Sequence, residues 1–529
     1  MDFHRPAVFL AILSAAMFAE PIAPLRADDA NSSPKVAQVP YQAPATAPRY
    51  TAFISDLHFG VGKDAGGAWD PTEDFRWPRA LDGFLNKISE DGGQRVDLVI
   101  VGDFLELWQP PAEIKCIGVG ADLGCTIDEM SSLVRLVVTE HAADIGILRA
   151  FAERGENRLH IIVGNHDSTL RYESVWKPLG AALNADSGRI NLLTEGIWVS
   201  GDGRIVAEHG HQIGQDVNKY ATWPTISREV DGKDYIVRPW GELFVQRLFN
   251  SQERTYPIID NLSPETAGAR YRAADRGIWG SASDIAKLLT FNLLETSLRQ
   301  KSVMLGKPPS GKVSWDTSIG RKMGAMLFLY SLAPDDPFRL QLQQDDADAA
   351  AIRSELTQLA NDKMRLPDEE VQQLCDMIAV NEKDHVCWDM QLGSLAEHFL
   401  SSKSKVMARH LAARQVAFKL MRVFIYGHTH QFEEPWPVDL EGTSVTISVA
   451  NTGAFQRLID EPGFLKRLNG RTPEETLRSM SLDELPPCYT AVIVTPTASG
   501  QIPVPKIQAW YMPEDGSGAL TAPDDPRCH

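Results

Sequence analysis

Five short apolar runs each break off at a cluster of Asp, Asn, His and Gly, and this recurring junction is what most restricts the fold. Residues 50–55 run into Asp56-Leu57-His58, residues 96–101 into Gly102-Asp103, and residues 158–163 into Gly164-Asn165-His166-Asp167. Residues 204–208 run into His209-Gly210-His211, and residues 422–426 into Gly427-His428-Thr429-His430. Helical patterns at 75–88 and 130–153 separate the first three runs; in the second, Leu133, Leu136, Val137, Ile145, Leu148 and Phe151 share roughly one face. Strand, polar loop, helix, strand is the pattern of a buried sheet that carries its chemistry on loops beyond the strand ends. Residues 197–200 and 204–208 read as a hairpin around Gly201-Asp202-Gly203, and residues 443–450 and 489–495 continue the β pattern.

A segment of different character divides this pattern. Residues 215–415 are far longer than a connection inside a compact domain and read as a mainly helical insertion or cap. Its candidate helices cover 283–305, 320–332, 345–364 and 367–380, with a last one at 394–421 that runs back into the core. The core is therefore expected in two parts, 50–214 and 416–529. Ahead of it, residues 1–27 read as a signal peptide, with a basic start at 1–5 and an apolar stretch at 6–19 too short to span a bilayer. Residues 28–49, rich in Ala and Pro, read as a mobile linker. Cysteine usage agrees with a periplasmic or secreted protein, because six cysteines fit no zinc module and even numbers suit an oxidising compartment. Sequence neighbours suggest the pairs Cys116–Cys125, Cys375–Cys387 and Cys488–Cys528. No segment after the first is long and apolar enough to span a membrane.

The junctions also bring metal-ligand chemistry. Six of the 13 histidines sit in them. A lone histidine there is usually structural, but Asp56-x-His58 and His428-x-His430 are paired at strand ends, where residues i and i+2 can turn toward one point. Imidazole and carboxylate together suit borderline divalent ions such as Mn, Fe and Zn, and the absence of thiolate ligands argues against a structural zinc knot.

D-x-H, G-D, G-N-H-D, H-G-H and G-H-x-H, in this order, resemble the calcineurin-like metallophosphoesterases over about residues 51–455, the insertion excluded. The resemblance implies an α/β (α+β) fold, a four-layer αββα sandwich with two sheets between helices, here carrying the insertion. It implies two divalent metal ions, one held by Asp56, His58, Asp103 and His430, the other by Asp103, Asn165, His209 and His428. It also implies hydrolysis of phosphate esters by a metal-bridging hydroxide. A shared carboxylate such as Asp103 stabilises two cations that repel, and Asn165 adds a carbonyl oxygen without charge. His166 is expected to face the leaving group as acid or charge stabiliser, with Asp167 holding its tautomer. His209 is preferred to His211 because it directly ends its strand.

The second block departs from G-D-x-x-D, since Glu106 stands in place of the second Asp. The arginine that follows this block in Ser/Thr protein phosphatases is missing, which disfavours protein dephosphorylation. The form G-D-F-L-E-L-W resembles the branch containing UDP-2,3-diacylglucosamine pyrophosphohydrolases, but those face the cytoplasm and carry Arg where this chain has His166. The substrate is expected to be a phosphorylated small molecule or lipid, a mono- or diester. A formal charge of −18 disfavours nucleic acid, which needs a broad basic surface. A nuclease and a catalytically inactive scaffold on the same fold are the competing readings; oligomeric state is not set by the sequence. Residues 306–313 match most of a phosphate-binding loop but lack its Ser or Thr. Lys403, Lys405, Arg409, Arg414, Lys419 and Arg422 form a basic run without acids, a solvated face by default and a steering surface for phosphorylated substrates as the alternative.

Overall fold

The computed structural model describes residues 34–271 and 403–529, less 45–46, 65, 120–121, 214–217, 221, 240, 243–244, 247–249, 264–270, 441 and 499–500. The signal-like segment, the four candidate helices between 283 and 380, the phosphate-loop look-alike and Cys375 and Cys387 lie outside the described residues.

Two mixed sheets form the frame. In the first, β1 (Tyr50–Ile54), β2 (Val96–Val101), β4 (Arg158–Ile162) and β5 (Ile190–Leu193) are parallel neighbours. On the other side of β1, β15 (Cys488–Val494), β16 (Pro505–Tyr511) and β17 (Ala519–Thr521) extend the sheet antiparallel, in the order β17-β16-β15-β1-β2-β4-β5. In the second, β7 (Ile205–Glu208), β11 (Val423–Tyr426) and β13 (Thr446–Thr452) are parallel. β6 (Ile197–Val199) and β12 (Phe432–Asp439) close its edges antiparallel, in the order β12-β13-β11-β7-β6. Outside the two sheets, β3 (Leu123–Thr126) pairs with β9 (Lys233–Val237), which forms a hairpin with β8 (Ser227–Val230). β10 (Leu262–Ser263) pairs with β14 (Ile459–Asp460).

Side-chain alternation along the strands makes the layers. Phe53, Val99, Val101 and Ile162 face Trp198, Ala207, Val423, Ile425 and Ala450 across the inter-sheet core. Their neighbours Ala52, Ile54, Leu98, Ile100 and Ile161 point the other way, under the helical layer. That layer contains α1 (Pro78–Asp91), α2 (Ile127–Glu140), α3 (Ala142–Glu153) and α4 (Glu173–Ala182). On the far face, Val206, Phe424, Tyr426 and Val449 pack against Met407 and Leu411 of the helix Lys403–Ala417. Helix, sheet, sheet, helix is the four-layer αββα sandwich that the motifs imply, with each large apolar side chain buried in it contributing about 1.5–3 kcal/mol.

Several local expectations change for physical reasons. The first helix starts at Pro78, because Pro at the first helical position keeps the preceding Trp77 out of the helical region, at φ −124° and ψ 68°. The expected helix over 130–153 is two helices, broken at His141, whose ring sits between Asp144 and Glu73. A capping box between Thr126 and Glu129 starts α2 before the periodicity shows it. Part of the expected mobile linker is packed: Val36 bridges Tyr172, Ala37 N donates to Arg171 O, and Gln42 N donates to Gly188 O. The segment read as a mainly helical insertion opens with the β8–β9 hairpin, and its last helix serves as the outer layer of the second sheet.

Candidate metal centre

β1, β2, β4, β7 and β11 end in the five motif loops, and the loops are stitched to one another by their backbones. Asp56 N donates to Gly102 O (3.2 Å), His58 N to Asp103 O (3.1 Å) and Gly427 N to His209 O (2.8 Å). Chain direction reverses so sharply here that Asp56, His58, Asp103, His428 and His430 all take left-handed conformations, with φ of 53°, 48°, 47°, 75° and 53°. Such backbone costs energy for residues other than Gly and gathers where tertiary contacts enforce it. This explains how i and i+2 side chains at a strand end meet at one point. Gly102, at φ 86°, is required for a further reason: a Cβ there would lie 2.7 Å from the His209 Cβ.

Asp103 Oδ2 stands at the middle. On one side, His58 Nε2 is 3.9 Å from it and 3.9 Å from Asp56 Oδ1. His430 Nε2 completes that group, 3.5 Å from Asp56 Oδ1 and 3.3 Å from His58 Nε2. On the other side, His209 Nε2 is 3.0 Å from Asp103 Oδ2 and 2.9 Å from Asn165 Oδ1, and the His209 and His428 rings lie 4.9 Å apart. Asp56, His58 and His430 form one group able to hold an ion, and Asp103, His209 and His428 another.

Donor chemistry fits cations at both points. His209 Nδ1 is 2.8 Å from Val101 O, and a proton on that nitrogen leaves the Nε2 lone pair facing two oxygen acceptors. Glu106 Oε2, 2.9 Å from His58 Nδ1, orients that ring in the same sense. Asp56 Oδ1 is buried with no hydrogen-bond partner among the described residues, while Oδ2 accepts from Ser55 Oγ and from His428 N (3.0 Å). Converging lone pairs repel unless a proton or a cation intervenes, and an oxygen behind the imidazole, as at His58 and His209, is the usual support of a metal ligand.

Glu106 also grips His166. Its Oε2 lies 2.6 Å from His166 Nδ1, its Oε1 accepts from Trp108 N (2.6 Å), and the Trp108 ring stacks on His166 at 4.0 Å. Burial opposes the charge on both partners, but their mutual attraction outweighs it: His166 is raised, and Glu106 is lowered to about 2 by His166 and His58. Burial likewise opposes charge on Asp103, which His209 and His166 nevertheless hold well below the usual carboxylate range.

The expected role of Asp167 is corrected by this geometry. Asp167 sits behind the site, its Oδ1 accepting from Gly164 N (2.7 Å) and its Oδ2 from Phe104 N (2.8 Å) and Leu105 N (3.3 Å). It clamps the G-D and G-N-H-D loops together, whereas Glu106, singled out only as a departure, holds the His166 ring. Burial, then the neighbouring Asp103, push Asp167 up to about 7. The remaining expected site residues, Asp56, His58, Asp103, Asn165, His166, His209, His428 and His430, converge. His211 lies 5.5 Å from His209, ring to ring, against Trp223; burial and then His209 lower its pKa well below the ordinary value, and neither ring nitrogen has a hydrogen-bond partner among the described residues.

The basic run is only partly available for steering. Arg414 is committed to Glu208 by two bonds of 2.5 and 2.8 Å, at the end of β7 that leads into His209. Arg422 Nη1 donates to the carbonyl of Met421 (2.7 Å), and among the described side chains of the run Arg409 and Lys419 are exposed.

Over residues 50–279 the chain matches the family model described as calcineurin-like phosphoesterase, the family that its motifs resemble. His428 and His430 lie beyond the matched span and reach the centre through β11. Among curated proteins, no relative matches the chain.

Proposed function

We propose that this protein hydrolyses phosphate esters with two divalent ions, Mn, Fe or Zn, one held by Asp56, His58, Asp103 and His430 and the other by Asp103, Asn165, His209 and His428. The observation that carries this reading is the convergence of His209 Nε2 on Asp103 Oδ2 at 3.0 Å and on Asn165 Oδ1 at 2.9 Å, with Val101 O behind its Nδ1 at 2.8 Å. When bound, such ions neutralise phosphoryl oxygens and lower the pKa of water toward neutrality.

The chain's own residues supply the rest. Asp56 and Asp103, ionised and buried, offset the ionic charge, and Asn165 contributes an oxygen without adding to it. His166 is held at Nδ1 by Glu106 and in plane by Trp108, so its other nitrogen is the end that can give a proton to the leaving-group oxygen. Burial opposes charge on this ring, but Glu106 and Asp103 raise its pKa, which favours the protonated form. The substrate is a phosphorylated small molecule or a lipid headgroup, mono- or diester; the charge of −18 disfavours nucleic acid.

Export to the periplasm or beyond is part of the same proposal. It is supported by the disulfides Cys116–Cys125 and Cys488–Cys528, which suit an oxidising compartment. No helix among the described residues is long and apolar enough to cross a membrane. The test is a panel of phosphomonoesters and phosphodiesters, including nucleotides and lipid headgroups, assayed after chelation and again with Mn, Zn or Fe restored. Turnover that returns with metal supports the reading, and a metal-loaded protein inactive on the whole panel overturns it.

A further inference from the structure

The loop after β11 reverses within three residues. Thr429 N donates to Gly427 O (2.9 Å), and His428 between them has φ 75°. Gly427-His428-Thr429 is therefore a γ-turn with positive φ at its centre, a rare and strained form. His430, two residues on, is also left-handed, at φ 53°. Neither conformation is one that a residue with a Cβ adopts unaided, so contacts from elsewhere must hold it. The end of β13 supplies such contacts. That strand runs parallel to β11 in the register Tyr426↔Asn451, which sets Asn451 beside the residue from which the loop departs. Asn451 is fully buried. Its Oδ1 accepts from Gly453 N (2.9 Å), and its Nδ2 donates to Gly427 O (3.1 Å) and to Thr429 Oγ1 (2.9 Å). A backbone N–H at one end and a backbone carbonyl at the other fix which way the carboxamide faces.

We propose that Asn451 is a positioning residue for the metal centre, pinning both ends of this turn so that His428 and His430 reach their ions; this rests on the two-ion reading above. Its N–H groups go to the first and third residues of the turn, and His428 is the second. The distance between Gly427 O and Thr429 Oγ1 is thereby set by the width of one amide. His430 follows Thr429 directly, so the same grip sets the direction in which it leaves the turn. A strained turn relaxes when a restraint is lost, and a ligand displaced by about an ångström no longer meets its ion. The Asn451 carboxamide is committed to the chain at both ends, so it acts through the two histidines and not as a ligand. Asn165 differs in this respect, since its Oδ1 faces His209 Nε2 (2.9 Å).

The experiment uses the full chain with Mn alone as the probe. Titration calorimetry gives the Mn affinity per folded molecule, and urea unfolding of the metal-free protein is followed beside it. In Asn451→Ala the affinity should fall about tenfold or more, the usual loss when a group supporting a metal ligand is removed. Thr429→Val, which removes one of the two contacts, should weaken Mn binding about fivefold, and Thr429→Ser, which keeps the hydroxyl, should match wild type. A folded Asn451→Ala that binds Mn within twofold of wild type overturns the inference, whatever its urea midpoint, because the residue would then hold structure only. The two-ion reading would survive that result. Should Asn451→Ala fail to fold, the Thr429 variants decide: equal Mn affinity in Thr429→Val and Thr429→Ser overturns the inference, and a loss confined to Thr429→Val supports it. A wild-type protein that takes up no divalent ion removes both the reading and the inference.

Discussion

His166 and His141 are both packed against carboxylates, and the contrast between them shows what turns such a cluster into a site. At the break between α2 and α3, both nitrogens of His141 face acids: Nδ1 lies 3.1 Å from Asp144 and Nε2 3.3 Å from Glu73, with the ring stacked 4.5 Å over Phe59. Glu73 in turn accepts from the amides of Gly62 (2.6 Å) and Phe75 (3.2 Å), so the cluster pins the loop between His58 and α1. Burial opposes its charge, but Asp144 and Glu73 raise His141 to about 9. With no lone pair free, it can only hold structure. His166 is engaged at Nδ1 alone, keeps 15 % of its side chain exposed and faces the strand-end loops. Residue types are the same in the two places. What differs is that acids face both ring nitrogens of His141, whereas among the described residues the acid at His166 holds Nδ1 alone.

The largest effect that would separate the two clusters is expected from Asp103→Asn. It removes the charge shared by both halves of the centre, so metal analysis should find the ions gone and turnover should fall by about 10³-fold or more, over 4 kcal/mol of transition-state stabilisation. Full activity would end the two-ion reading. His141→Ala should instead cost about 3 kcal/mol of stability in urea unfolding, because it strands buried carboxylates, while turnover per folded molecule stays unchanged. A large loss of turnover in the folded variant would erase the distinction between the clusters.

Glu106→Gln should lower turnover about 10- to 100-fold with the protein still folded, the usual size for a group behind a metal ligand. It acts on His58 and His166 at once, so metal affinity and the acidic or basic limb of the rate profile should both move.

A pH series sharpens the same contrast. The folded pKa of His141, about 9, lies above its unreacted value of 6.5. Its stabilisation is therefore complete below pH 6.5 and is lost as pH rises through 9. Urea midpoints of the wild type should fall across that window more than those of His141→Gln, and parallel curves would refute the assignment. The smallest effect is expected at Lys419. Its charge reversal should leave kcat/KM within about twofold, because an exposed charge is screened within about 10 Å; a larger, salt-dependent change would revive steering.

The five junctions were legible because strand-end chemistry is local: an apolar run, a break, and residue types able to bind metals. Positions of β1, β2, β4, β7 and β11 followed within a residue or so, and the Cys116–Cys125 and Cys488–Cys528 pairs followed from sequence proximity. β12 escaped notice because Phe432–Asp439 contains Pro435 and Pro437, which are tolerated only on an edge, and the strand is at the sheet edge with a bulge between Glu433 and Trp436.

The amino-acid sequence alone determined which residue types stand at the strand ends and the order in which the motifs come. Tertiary structure alone decided which carboxylate holds His166. Glu106 and Asp167 are both near it in kind, but Glu106 lies 60 residues away in sequence and meets its ring, while the adjacent Asp167 turns back to the backbone of Gly164 and Phe104. It also brought Asn218 to His428 across 210 residues and set five side chains in left-handed backbone. The reason is physical. Periodicity and local propensity report the direction of a side chain relative to its own element, whereas hydrogen-bond partners are chosen by which loops the packed sheets press together.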